Sequence, residues 1–280
     1  MTSFYCQYAS LLDHILSTGD VETNARTGHK VAVLPGGTSL RVDLGEGTMP
    51  VCGVRKLFPR TAAAEVAWFV SGSQQAEWFQ RFSKVWDKFV EPDGTLEAAY
   101  GYRWRGHFGR DQLGLAVEAL QEDPSDRRVL VSTWDPRLDG LGEIGQRSVP
   151  CLTHFTLSMT AGRLHSSLFL RSSDVFVGLP YDVLGHSLLM SILAKTLDVR
   201  LGVMHVTLAH AHLYEDHWEM AREALAGSDH ARNGPLLPTD WTLRRVGSYP
   251  DEFVEAVTRA AREGSWGAWP KYSPKPFVVE

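Results

Sequence analysis

Cys151 stands in Val149-Pro150-Cys151-Leu152-Thr153-His154-Phe155, an apolar segment with β-favouring residues. A cysteine attacks as its thiolate, a form that neighbouring cations favour. Arg171 opens the run Arg171-Ser172-Ser173-Asp174-Val175-Phe176-Val177-Gly178-Leu179-Pro180-Tyr181-Asp182, and Arg127 and Arg128 are adjacent in Ser125-Asp126-Arg127-Arg128. Guanidinium forks donate to phosphate oxygens in pairs, so arginines near a thiol suit a phosphorylated substrate. Taken alone, a cysteine in an apolar strand is more often inert core, and paired arginines are more often a solvated edge.

Acids complete the set. Glu65 interrupts the apolar face Ala62, Val66, Phe69 and Val70 of a helix predicted over Thr61 to Ser71. A carboxyl group among apolar neighbours binds its proton more tightly, which suits proton shuttling near neutral pH. Asp174 falls at a strand end and Asp182 at a helix start, where an acid usually does no more than cap free N–H groups.

The elements that must position these residues are legible in outline. Leu164 to Leu170 reads as a strand, and Leu184, Leu188, Leu189, Ile192, Leu193 and Leu197 repeat at helical spacing from Val183 onward. Residues 1 to 20 read as a helix; Lys30 to Leu34, Ser39 to Leu44 and Val51 to Val54 read as short strands. Leu113 to Gln121 is a helix, and Ser125 to Trp134 runs from a turn into a strand. Val203 to Tyr214 reads as a strand, Glu215 to Leu225 as a helix, Trp241 to Val246 as a strand and Phe253 to Arg262 as a helix.

Composition bounds the rest. The 280 residues carry 44% apolar and 22% charged residues, ordinary for a soluble globular protein. A net charge of −5 argues against a surface that coats nucleic acid. Cys6, Cys52 and Cys151 make neither a metal spacing nor an even disulfide framework, which fits a reducing cytoplasm. No apolar run reaches the ~18 residues of a membrane span, and no leader pattern opens the chain.

The segments around Cys151 and Arg171, together with His210-Ala211-His212-Leu213-Tyr214, resemble the thymidylate synthase family. That family places a Pro-Cys nucleophile before Arg-Ser-x-Asp-Val-Phe-x-Gly-Leu-Pro and a His-x-Tyr pair after it. The resemblance covers nearly the whole chain, with the motifs in the family's order. It implies one catalytic domain over 1–280 with an α/β (α+β) fold: a large mixed β-sheet, helices on one side, and sheets packed face to face in a homodimer. It also implies 5,10-methylenetetrahydrofolate as one-carbon donor and Cys151 as the nucleophile at C6 of a pyrimidine nucleotide. Glu65 and Tyr100 would belong to the proton network, Tyr100 within Tyr100-Gly101-Tyr102-Arg103-Trp104-Arg105. Phosphate would take Arg26 (in Arg26-Thr27-Gly28), Arg171 and Ser172 from one subunit and Arg127 and Arg128 from the other. His212 and Tyr214 would bond the sugar 3′-hydroxyl. Trp86, Asp174, Gly178, Tyr181 and Val278 would hold the folate.

The departures from the family pattern concern the base. The family's uracil-reading asparagine is Asp182 here, the exchange seen in the family's deoxycytidylate hydroxymethylases. Its histidine after the cysteine is Leu152, and its glutamine before the motif arginine is Leu170. A carboxylate accepts from the cytosine N4 amino group, and from N3 once that nitrogen takes a proton. Facing uracil it would set an acceptor against O4, a mismatch costing about 1–3 kcal/mol. These features predict dCMP as substrate, converted to 5-methyl-dCMP, with 5-hydroxymethyl-dCMP as the alternative product. The tail aligns ungapped with the synthase tail, which favours a lid that excludes water, although it ends in charged Glu280. Three rival readings compete: a metal hydrolase built on His205, His210, His212 and His217, a non-catalytic nucleotide- or RNA-binding module, and a dUMP synthase with an aberrant Asp182.

Overall fold

A computed structural model describes residues 3–25, 27–141, 148–227 and 234–263. Phe4–Thr18 forms α1, capped by Ser3, whose side chain accepts from the Cys6 N–H. Its buried stripe of Tyr5, Tyr8, Leu12 and Ile15 follows the helical spacing of those residues. The strands β1 (Asp20–Thr23), β2 (Lys30–Val33) and β3 (Thr38–Asp43) come next. Val51 to Val54, expected as a strand, is irregular, because Pro50 cannot donate and Gly53 adopts a left-handed φ of 64°.

Helix α2 (Pro59–Ser71) starts with a proline in its first turn and ends at left-handed Gly72. After the short α3 (Glu77–Gln80), α4 (Tyr100–Tyr102) runs into a π-type turn at Arg103–His107. Helix α5 (Gln112–Glu122) leads to β4 (Leu130–Ser132), then β5 (Leu152–Thr160), β6 (Arg163–Leu170) and β7 (Ser173–Asp174). The apolar α6 (Leu179–Leu197) precedes β8 (Arg200–Leu208) and β9 (Ala211–Tyr214). Helices α7 (Trp218–Ala226), α8 (Leu243–Ser248) and α9 (Pro250–Glu263) follow.

The class is the mixed α/β one that the sequence predicts, with the strands divided between two mixed sheets. One has the order β1-β2-β9-β7 and the other β3-β8-β6-β5-β4. Helix α6 is the crossover between the parallel β6 and β8 and packs on both, and also on α2 and α5. This packing explains why α6 is apolar almost all round.

Two further expectations need correction. Val203 to Tyr214 is not one strand. Leu208 pairs with Leu170 in the five-stranded sheet, while His212 pairs with Val33 and Asp174 in the other, so the chain changes sheets at Ala209-His210. Gly37 permits the change, because its left-handed φ of 70° brings it against the Leu208 carbonyl where no Cβ would fit. Trp241 to Val246 yields α8 instead of a strand. Thr242 accepts from the Arg245 N–H as a cap, and Leu243 and Val246, three apart, turn inward together. Among the described residues no helix is long and apolar enough to cross a membrane.

Candidate active site

The end of the β5–β6 hairpin puts Cys151 beside Arg171. The Arg171 backbone N–H donates to the Cys151 carbonyl at 2.9 Å. Its side chain donates through Nε to the Pro150 carbonyl at 2.8 Å and through Nη2 to the Val149 carbonyl at 3.0 Å. The guanidinium also lies over the Trp134 ring, 5.6 Å from its centroid. These contacts fix the fork while leaving part of it for an anion. Arg171 lines, with Ser132, Trp134, Thr153 and His154, an open cavity of about 490 Å³.

Tyr100 reaches the same place from α4. Its hydroxyl accepts from the N–H groups of Cys151 at 3.1 Å and Leu152 at 3.3 Å. Phe69 and Trp104 hold the ring, with centroids 5.2 and 6.1 Å away. Burial first, then the nearby Cys151 and Asp182, keep the phenol protonated well above its ordinary range.

Two carboxyl groups meet because α2 packs on α6. Glu65 of α2 accepts from the Trp86 indole N–H at 2.7 Å. Burial raises its pKa to about 7, against the pull of that hydrogen bond. Asp182 lies inside the first turn of α6, where Gly178 occupies the cap position and no side chain makes a capping bond. The helix-cap role for Asp182 is therefore set aside. Burial, then the charges of Glu65 and Asp174, push its pKa up to about 8. Asp174, on β7, accepts from the N–H groups of Phe176 at 3.1 Å and Val177 at 3.0 Å. Burial and like charge thus favour the protonated form of Asp182, where the sequence reading took a carboxylate.

The β7–β9 pairing sets Asp174 opposite His212, and the Val175 N–H donates to the His212 carbonyl at 2.9 Å. The His212 ring lies 5.3 Å from the Tyr214 ring, and both side chains are buried. Ser172 stands between Arg171 and β7, so the Arg171–Asp174 segment, His212 and Tyr214 share one region. Leu152 and Leu170 are direct partners across β5 and β6 and both are buried. Two of the three departures from the family pattern are thus one apolar pair.

Some expected site residues do not join this cluster. Arg127 and Arg128 are exposed, and Arg128 pairs with Asp126 at 2.9 Å. The neighbouring Val129 carbonyl accepts from Leu157, six residues past Cys151. At the rise of an extended strand the two arginines are on the order of 20 Å from the thiol of their own chain. Arg26, Val278 and the tail through Glu280 lie outside the described residues. Among the described residues, no group of three or more His, Cys, Asp or Glu is arranged to hold a metal ion.

A family model described as thymidylate synthase matches residues 6–240. The chain belongs to the thymidylate synthase family. That membership makes it a one-carbon transferase acting, with folate, at C5 of a pyrimidine nucleotide. Enzymes of the thymidylate synthase family use methylenetetrahydrofolate as donor, and the residues present fit a pterin. Trp86 and Tyr181 offer half-buried aromatic faces, and Asp174 keeps acceptor capacity beyond its two backbone bonds for ring N–H and amino donors. A Cβ at Gly178 would stand 3.3 Å from the Asp174 carbonyl and 3.8 Å from Asp182 Oδ2, so glycine keeps room between the acids.

One residue beside this thymidylate synthase site escapes sequence reasoning. Arg55 is buried, donates from Nη1 to the Val177 carbonyl at 2.7 Å and lies over the Tyr181 ring. Nothing in Gly53-Val54-Arg55-Lys56 distinguishes it from a surface charge, since only long-range packing buries it.

Proposed function

We propose that this enzyme transfers one carbon to C5 of a cytosine nucleotide, converting dCMP to 5-methyl-dCMP. The observation that carries the reading is Asp182, a carboxyl group set deep between Glu65 and Asp174 with its pKa raised to about 8. A protonated carboxyl donates to the cytosine N3 and accepts from the N4 amino group. Cytosine N3 is a far better base than uracil O4, so the proton passes to N3 as the thiolate adds. That leaves a carboxylate accepting from the N3–H and the N4 amino group of a neutral adduct, and hydrogen bonds to an ionised acceptor are the stronger kind. The apolar Leu152–Leu170 pair adds support, because Leu152 replaces the family histidine that helps organise water near O4, and a substrate without O4 has no need of it.

The residues divide the work. Cys151 adds to C6 and turns C5 into a nucleophile, and Arg171 and Ser172 hold the phosphate, together with Arg26. His212 and Tyr214 bond the sugar. Asp182 moves the proton at N3, while Glu65 and Tyr100 manage the proton that leaves C5. Trp86, Asp174, Gly178, Tyr181 and Val278 hold the folate, which when bound supplies a carbon at the formaldehyde oxidation level and the hydride that makes it methyl. The chain works as a single catalytic domain over 1–280, in the cytoplasm, as a homodimer. The distance of Arg127 and Arg128 from their own Cys151 supports this, since they serve a phosphate only by reaching a second copy.

Release of tritium from C5-labelled dCMP, compared with dUMP, tests the base. Faster release from dUMP by the wild-type enzyme overturns the cytosine reading. The product mass tests the last step, where hydroxymethyl without methyl replaces the methyl assignment and leaves the base assignment standing.

A further inference from the structure

Arg55 presents a problem of charge. It is 3% exposed, and it makes no ion pair among the described residues. Its Nε is buried without a hydrogen-bond partner. A guanidinium removed from water on these terms is costly unless its surroundings compensate it. The partners it does have all belong to one turn. Nη1 donates to the Val177 carbonyl at 2.7 Å, and the guanidinium lies 5.2 Å from the centroid of the Tyr181 ring. That ring is held from its other end, where the Tyr181 hydroxyl accepts from the Phe58 N–H at 3.0 Å.

Val177 and Tyr181 bracket Gly178, at the start of α6. The Val177 N–H holds the Asp174 carboxylate at 3.0 Å, and Asp182 is the next residue after Tyr181. Tyr8, itself buried, lies near enough to feel the charges of both Arg55 and Asp174, so the guanidinium sits in the neighbourhood of the turn's acid. We propose that Arg55 is a positioning residue that clamps the Val177 carbonyl and the Tyr181 face, and so sets the aim of Asp182 at the pyrimidine base. Lysine would supply charge and one donor but not the flat face that stacks on tyrosine. The proposal rests on Asp182 as the residue that reads the base.

The test uses the full chain as Arg55→Met and Arg55→Lys, assayed for tritium release from C5-labelled dCMP and dUMP. Thermal unfolding by circular dichroism gives the folded fraction of each variant at assay temperature. Arg55→Met should lose on the order of a hundredfold in kcat/KM per folded molecule, the effect of a displacement of about 1 Å at a reacting group. Its preference between the two nucleotides should narrow, and Arg55→Lys should recover part of both. A kcat/KM per folded molecule within about twofold of wild type, or an unchanged nucleotide preference, overturns the proposal. If Arg55→Met fails to fold, the preference of Arg55→Lys decides in the same two directions. A wild-type enzyme that prefers dUMP would sink the cytosine reading yet leave the Arg55 ratio measurable, so the two failures are distinct.

Discussion

The indole N–H of Trp86 and Oε1 of Glu65 are 2.7 Å apart, which ties an aromatic face to an acid on α2. The bond favours the ionised form of Glu65 and partly offsets the burial that raises its pKa to about 7. Trp86→Phe removes the donor and keeps an aromatic ring, so Glu65 should hold its proton to higher pH. The limb of the kcat/KM profile near pH 7 should move upward in that variant, and a limb that stays in place would remove Glu65 from the proton path.

Asp182→Asn exchanges the acid for an amide that suits uracil. Activity on dCMP should fall by about tenfold to a hundredfold, the equivalent of the ~1–3 kcal/mol that a mispaired buried polar group costs. Turnover or binding of dUMP should rise at the same time. Steady-state kinetics with both nucleotides checks it, and an unchanged dCMP preference would falsify the assignment.

Stability should depend on pH through the same two acids. Glu65 and Asp182 move from ordinary values of 4.5 and 3.8 to about 7 and about 8 in the folded chain. Between those limits the folded state binds more protons than the unfolded state, so stability falls as pH rises. Their contribution is complete below about pH 4 and is lost by the time pH passes about 8. The Tm of the ligand-free protein should therefore drop between pH 5 and pH 9, more steeply in wild type than in Asp182→Asn. Equal slopes would mean that Asp182 does not carry the proton.

Arg127 and Arg128 are predicted to act across a dimer. Neither the Cys151→Ala chain nor the Arg127→Ala/Arg128→Ala chain should be active alone. Mixing them after reversible dissociation should restore roughly a quarter of wild-type activity, because half of randomly paired dimers are mixed and each carries one intact site. No recovery, with mixed dimers verified by mass, would sink the shared site.

Cys151, the Arg171–Asp182 run and the His-x-Tyr pair were legible in the sequence, as were α1, α2, α6 and α9, because local periodicity and motif order need no tertiary context. The chain was misread where long-range contacts overrule local pattern. The break at Ala209-His210 depends on which sheet each half pairs with, and α8 depends on a cap at Thr242 in a segment whose apolar residues also alternate. The same division holds within the site. The sequence and its resemblance to the family determined that Asp182 stands where the family has an amide and that a thiol follows a proline. That burial favours a proton on Asp182, that Leu152 faces Leu170, and that Arg55 is buried under the turn followed only from the fold. Proton affinity and desolvation depend on what surrounds a group in space, and those neighbours come from segments far apart in the chain.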